Sequence, residues 1–207
     1  MYTLYYSQGA CSVATQVVLN ELQQAVNLID VQQLDDFKTI NPVGAVPTLI
    51  DGEKTLTEGA AILLHLLTKH ENSLFPTHAD ARQKAIQDIM FANATMHPAY
   101  GRLFFLSQNI NDEAIKQAVL NSAAESINQL WQVVENQLTK QRFLGGDSPS
   151  AADIMLSVYS RWGAYFPVDI SFGEKTTQML EAVQAMPSFK KADEAEQVQS
   201  SKENTSN

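Results

Sequence analysis

The apolar and polar positions of the first sixty residues change period several times. Residues 2–6, Tyr-Thr-Leu-Tyr-Tyr, form a β-rich run, and Ser7-Gln8-Gly9-Ala10 supplies a turn before Val13, Val17, Val18 and Leu22 recur at helical spacing. Residues 26–31, Val-Asn-Leu-Ile-Asp-Val, suit a second strand. The polar stretch from Gln32 to Thr39 has to form a short helix or a loop before Asn41-Pro42. Pro47 to Ile50, the turn Asp51-Gly52 and Lys54 to Thr57 predict a β-hairpin with a type I′ turn. Ile62, Leu63, Leu66 and Leu67 then mark a helix. The order βαβ followed by ββα predicts one mixed four-stranded sheet, its first two strands parallel and its last two antiparallel.

That order describes a thioredoxin-like α/β layer over residues 1–74. From residue 79 the strand signal disappears and long helical patterns take over, with Phe75-Pro76-Thr77-His78 as the linker. Ile115, Val119, Ile127, Leu130, Val134 and Leu138 predict the buried face of one long helix. Ser150-Ala-Ala-Asp153 has capping-box spacing ahead of Ile154, Met155, Leu156, Val158 and Tyr159. An all-α second domain over 79–190 follows. The polar composition after Lys190 predicts a disordered tail over 191–207.

Composition narrows the function classes. With 44% hydrophobic residues, 207 residues can bury a full core as one large or two small domains. A net charge of −9 opposes nucleic acid and anionic lipid. No apolar run approaches the roughly 20 residues of a membrane span, and the N-terminus has no signal-peptide pattern, so the expectation is a cytoplasmic protein without membrane partners. The single cysteine, Cys11, excludes an internal disulfide and a multi-cysteine zinc site. Any redox role would need an outside thiol.

Three motifs, in order, carry a family resemblance: Leu4 to Ser12 around Cys11, Ile40-Asn41-Pro42-Val43-Gly44-Ala45-Val46-Pro47-Thr48-Leu49, and Leu56-Thr57-Glu58-Gly59-Ala60-Ala61-Ile62. They resemble the cytosolic glutathione S-transferases, particularly the bacterial beta class. The resemblance is dense over residues 1–70 and looser over about 79–190. It implies glutathione as co-substrate with no resident cofactor or metal, a small hydrophobic electrophile as second substrate, and a homodimer. It also implies that Val46, before a cis Pro47, offers its backbone N–H and C=O to the cysteinyl part of glutathione. Glu58 and Gly59, entering a helix, would take the γ-glutamyl end, and Lys38 would add a basic contact. Cys11 and His97 are the implied thiol-site pair. Tyr6, Tyr100 and Trp162 are the candidates for the electrophile pocket.

Each residue also has a plainer reading. A lone cysteine is more often inert packing, although the start of a helix would lower its thiol below the free value and give a thiolate near neutral pH. An X–Pro bond is ordinarily trans. Glu58 alone would complement a helix dipole. His97 shares a face with Asn93, Tyr100 and Phe104, the pattern of a core histidine, and Pro98 predicts a kink or interruption of that helix. Trp162, Tyr165 and Phe166 could line the electrophile pocket, although an aromatic cluster in a late helix is more often core. Tyr5, Tyr6, Ser7 and Ser12 put hydroxyls near Cys11 that could serve the sulfur in its place.

The main expectation is a transferase conjugating reduced glutathione to small apolar electrophiles through a cysteine-containing thiol site. Two alternatives stand beside it: a glutathione-dependent thiol–disulfide oxidoreductase, and a non-catalytic binding module on the same fold.

Overall fold

Tyr2, Leu4 and Tyr6 alternate with the half-exposed Thr3 and Tyr5, so β1 (Tyr2–Tyr6) buries one face in the manner its period of two demands. It pairs in parallel with β2 (Val26–Asp30), Leu4 opposite Leu28, and antiparallel with β3 (Thr48–Asp51), Leu4 opposite Leu49. β3 pairs antiparallel with β4 (Lys54–Leu56), closing the hairpin at Asp51 and Lys54 around Gly52, whose φ is 62°. The sheet order is β2-β1-β3-β4, the mixed sheet expected from the element order. The polar segment after β2 resolves into two 3₁₀ turns, Val31–Gln33 and Phe37–Thr39.

The computed structural model describes residues 1–203. They divide into two compact units, one comprising Met1–Phe75 and the chain from Gln184 onward, the other Pro76–Val183. In the first unit, α1 (Ser12–Glu21) is buried at every position from Ser12 to Leu19, because it packs against β1, α2 (Gly59–Lys69) and the last helix, α8 (Pro187–Glu203).

The last helix corrects the expectation of a disordered tail over 191–207. Residues 191–203 are helical, and 204–207 lie outside the described residues. Phe189, Ala192 and Glu196 are buried at spacings of three and four, which is a helical face narrow enough to be hidden in a polar composition. Asn20 Nδ2 donates to Ser188 O at 3.0 Å, and Gln16 Nε2 to Glu196 Oε1 at 2.6 Å, so α8 runs antiparallel to α1.

In the second unit, α3 (Ala79–Phe91) passes through a π-helical segment, Ala92–Met96, into α4 (His97–Asn109). Pro98 thus sits in the first turn of α4, where a missing N–H is tolerated, and the expected interruption takes the form of that widened turn. The long α5 (Glu113–Leu138) buries Leu120, Ala123, Ala124, Ile127, Trp131, Val134 and Leu138. Ile115, expected on this face, is exposed, and the face instead includes Leu120 and Trp131. The central α6 (Ala151–Tyr159) is buried at all its residues and starts on the expected capping box: Ser150 N donates to Asp153 Oδ2 at 2.8 Å, and Asp153 N to Ser150 Oγ at 3.4 Å. A 3₁₀ segment, Ser160–Tyr165, leads towards α7 (Glu174–Gln184). Among the described residues no helix is long and apolar enough to cross a membrane.

Candidate functional site

The turn after β1 sets the position of Cys11. Ser7 O accepts from Ala10 N at 3.1 Å and from Ser12 Oγ at 3.3 Å, while Gly9 takes a φ of 68° that only glycine adopts readily. Cys11 therefore caps α1 without a side-chain capping bond, and its half-buried thiol donates across to Val46 O at 3.2 Å. Burial pushes this thiol up to about 11; the negative charge of Glu58 adds to the rise, and the backbone N–H groups of Cys11 and Ser12 oppose it. The expected thiolate near neutral pH is thus corrected. Loss of water around the sulfur outweighs the helix-start N–H groups.

Val46 belongs to a loop held by one buried side chain that sequence reasoning gave no role. Asn41 Nδ2 donates to Ala45 O at 2.8 Å and to Thr48 Oγ1 at 3.0 Å, and Asn41 Oδ1 accepts from Val43 N at 3.1 Å. The Val46–Pro47 peptide is cis, as the motif implied. The Val46 N–H has no hydrogen-bond partner among the described residues, so the loop presents one open donor beside a carbonyl held only by a thiol. Lys38 lies over the same loop: a Cβ on Gly44, whose φ is 73°, would sit 3.3 Å from Lys38 Cε.

Glu58 lies at the start of α2 in an uncommon backbone conformation, φ 66° and ψ 110°, with no side-chain capping bond. Its carboxylate is exposed, and Gly59 opens the helix behind it. The first helical bond is Ile62 N to Glu58 O at 3.0 Å, which leaves the N–H groups of the preceding turn outside the ladder. A bulky residue held at positive φ costs on the order of 1–3 kcal/mol and is concentrated at ligand sites. Cys11, Val46, Pro47, Glu58, Gly59 and Lys38 all belong to the first unit.

The remaining candidates belong to the second unit. His97 is half-buried with its ring edge-on to Tyr159 and Trp162, both centroids at 5.2 Å, and burial lowers its pKa, which keeps the imidazole neutral at pH 7. Phe104 stands edge-on to Trp162 at 6.0 Å and to Phe166 at 4.8 Å. Tyr165, 62% exposed, lies with its ring centroid 6.2 Å from that of Phe104. Tyr100 is 0% exposed, and its hydroxyl accepts from Trp131 Nε1 at 2.9 Å, so it is a core residue and offers no surface to a substrate. Tyr6, 1% exposed on the covered face of β1, is likewise core. Both correct their expected place in an electrophile pocket. Trp162 is nearly buried, and the most exposed ring of this cluster is that of Tyr165.

Comparison with known proteins adds an independent line. Residues 6–74 match the family model of the glutathione S-transferase N-terminal domain, and residues 94–199 that of the C-terminal domain. Glutathione S-transferase GST-4.5 of Xanthomonas campestris is 31% identical over 174 residues, covering 81% of this chain and 85% of that protein. A solved glutathione S-transferase from Xylella fastidiosa superposes with a TM-score of 0.87 at 28% identity, over 95% of this chain and 98% of its own. A sphingomonad glutathione S-transferase solved in complex with glutathione gives 0.81 at 28% identity, over 94% and 98%. With a thioredoxin-like sheet in one unit, a helical second unit and both family models matched in order, this chain belongs to the glutathione S-transferase family, transferases that use glutathione as co-substrate.

Proposed function

We propose that this protein conjugates reduced glutathione to small apolar electrophiles. The glutathione sulfur forms a carbon–sulfur bond, the leaving group departs with its bonding electrons, and the thiol proton passes to a base or to water. The observation that carries this reading is the pairing, within one unit, of an open Val46 N–H and a thiol-bound Val46 carbonyl with the uncapped start of α2 at Glu58. The Val46 backbone is suited to an extended tripeptide in the manner of an added strand. Glu58 is suited to its ammonium, the free N–H groups of α2 to its α-carboxylate, and Lys38 to its far carboxylate. His97 is assigned to the sulfur on the sequence resemblance, where a neutral imidazole can accept a proton. A cytoplasmic location and a homodimer belong to the same proposal.

The burial of the Cys11 thiol favours conjugation over thiol–disulfide exchange. Exchange needs the Cys11 thiolate, and a thiol that burial pushes up to about 11 is predominantly protonated at pH 7. Cys11 is therefore better suited to donate a hydrogen bond to the glutathione sulfur than to attack a disulfide. The test is calorimetric titration of glutathione into wild type, Cys11→Ala and Glu58→Gln, with thioether formation on an activated aryl halide. Binding retained in Cys11→Ala and weakened in Glu58→Gln, with conjugate formed, is expected. Absence of binding in wild type would sink the transferase reading and favour the binding module, and rapid one-glutathione mass addition at Cys11 from oxidised glutathione would favour the oxidoreductase.

A further inference from the structure

The carboxylate of Glu196, 5% exposed on α8, divides its two oxygens between the segments on either side of Cys11. Oε2 accepts from the Gly9 N–H at 2.8 Å, inside the turn that precedes the cysteine, and Oε1 accepts from Gln16 Nε2 at 2.6 Å, one turn into the helix that follows it. Gln16 is itself 2% exposed, and its Oε1 is buried with no hydrogen-bond partner among the described residues. A buried carboxylate is costly unless it is hydrogen-bonded, so its position is tightly fixed by its donors, and theirs by it. Gly9 is the left-handed residue of the turn, and a left-handed glycine has more backbone freedom than any other residue type would have there. The bond from α8 removes that freedom two residues before the thiol.

We infer that Glu196 is a positioning residue for the thiol site: from the last helix it fixes the Ser7–Cys11 turn and thereby holds the Cys11 sulfur on the Val46 carbonyl. The consequence for turnover rests on the proposed transferase function, whereas the effect on the sulfur does not. Without the carboxylate the Gly9 N–H loses its anchor, the turn samples other conformations, and the 3.2 Å contact from Cys11 to Val46 O is made only part of the time. The Asn20–Ser188 bond would still tie α1 to the beginning of α8, so the two helices have a second attachment.

The experiment compares three variants of the full chain. Glu196→Ala removes both bonds, and Gln16→Leu removes the helix-to-helix bond while leaving the Gly9 anchor. Glu196→Gln can rebuild both if the Gln16 amide turns over, its oxygen then accepting from the new amide nitrogen. The readouts are the rate of Cys11 alkylation by iodoacetamide at fixed pH, and KM for glutathione against kcat. Glu196→Ala is expected to raise the alkylation rate by about tenfold and to lower kcat several-fold with KM for glutathione nearly unchanged, because the tripeptide's own contacts remain and only the thiol's service to the reacting sulfur is disturbed. Glu196→Gln is expected to restore wild-type values to within about twofold, and Gln16→Leu to lower urea stability without moving either readout. Equal effects of Gln16→Leu and Glu196→Ala on Cys11 would reduce Glu196 to a general stabiliser of the helix pair, and an unchanged alkylation rate in Glu196→Ala would overturn the inference. If alkylation shifts as expected but wild type binds no glutathione, the positioning role stands and the transferase reading falls.

Discussion

The Sγ of Cys11 lies 3.2 Å from the carbonyl oxygen of Val46, joining the start of α1 to the loop that leads into β3. A thiol held on a carbonyl is a donor, and ionising it would set a negative charge against that oxygen in a site already short of water.

The first prediction concerns the pH profile of that thiol. Alkylation of ligand-free wild type should rise with a midpoint near 11, well above the free thiol's, because burial dominates and Glu58 adds its charge. Glu58→Gln removes the second effect and should lower the midpoint while leaving it above the free value. Stopped alkylation followed by intact mass measures both, and a wild-type midpoint below 8 would mean that the α1 start controls the sulfur after all.

Glu58 carries the second. At φ 66° and ψ 110° its side chain is a backbone liability, which glycine would relieve. Glu58→Gly is expected to raise urea stability by about 1 kcal/mol, after allowing for the greater entropy of the unfolded glycine chain. It should also weaken glutathione binding by about tenfold, about 1.4 kcal/mol. Stability and affinity moving in opposite directions is the signature of strain kept for a ligand, and a fall in stability would remove the strain argument.

Much of this was legible in the chain because each feature had a local code. Alternation at Tyr2, Leu4 and Tyr6 and the Asp51-Gly52 turn specify β1 and the hairpin, and the Ser150–Asp153 spacing specifies the start of α6. The features that escaped are long-range. Glu196 reads as one more polar residue in a polar segment, and only the arrival of α8 beside α1 shows it paired with Gly9 and Gln16, residues 187 and 180 positions away. The Cys11 thiol was misjudged for the same reason: its neighbours in sequence are the N–H groups that lower its pKa, while the burial that raises it comes from the folded chain. Tyr100 could not be told from a pocket residue until Trp131, on another helix, proved to be its hydrogen-bond partner.

The capping box offers a third prediction, because Asp153 does more than close it. Its buried carboxylate also accepts from Leu144 N at 2.9 Å, from Gly145 N at 3.3 Å and from Ser150 Oγ at 2.6 Å. Ser150→Ala should cost about 1 kcal/mol, the ordinary loss of an N-cap. Asp153→Ala leaves several buried donors unpaired and should cost about 3 kcal/mol. The double variant should cost less than the sum, since both act through one network. Urea titration of the three proteins checks this, and strict additivity would contradict the shared network.

The last prediction is a pH dependence outside the thiol site. Asp51 Oδ2 receives Lys69 Nζ at 2.6 Å and His65 Nε2 at 2.8 Å, and these two bonds, Lys69 first, hold its carboxyl below the ordinary value of 3.8. A carboxyl lowered in the folded state binds fewer protons there than in the unfolded chain, so stability rises with pH through that interval. Its contribution is complete above the unfolded pKa and is lost as pH falls through the folded one. Asp51→Asn should therefore flatten the acid limb of the stability curve below about pH 4 while leaving the slope near neutrality unchanged. Because Lys69 is exposed, the difference should shrink in high salt. Urea unfolding of wild type and Asp51→Asn between pH 2 and 7, at low and high ionic strength, reads the effect directly, and parallel acid limbs at low salt would show that the Lys69 and His65 contacts contribute no net stabilisation in solution.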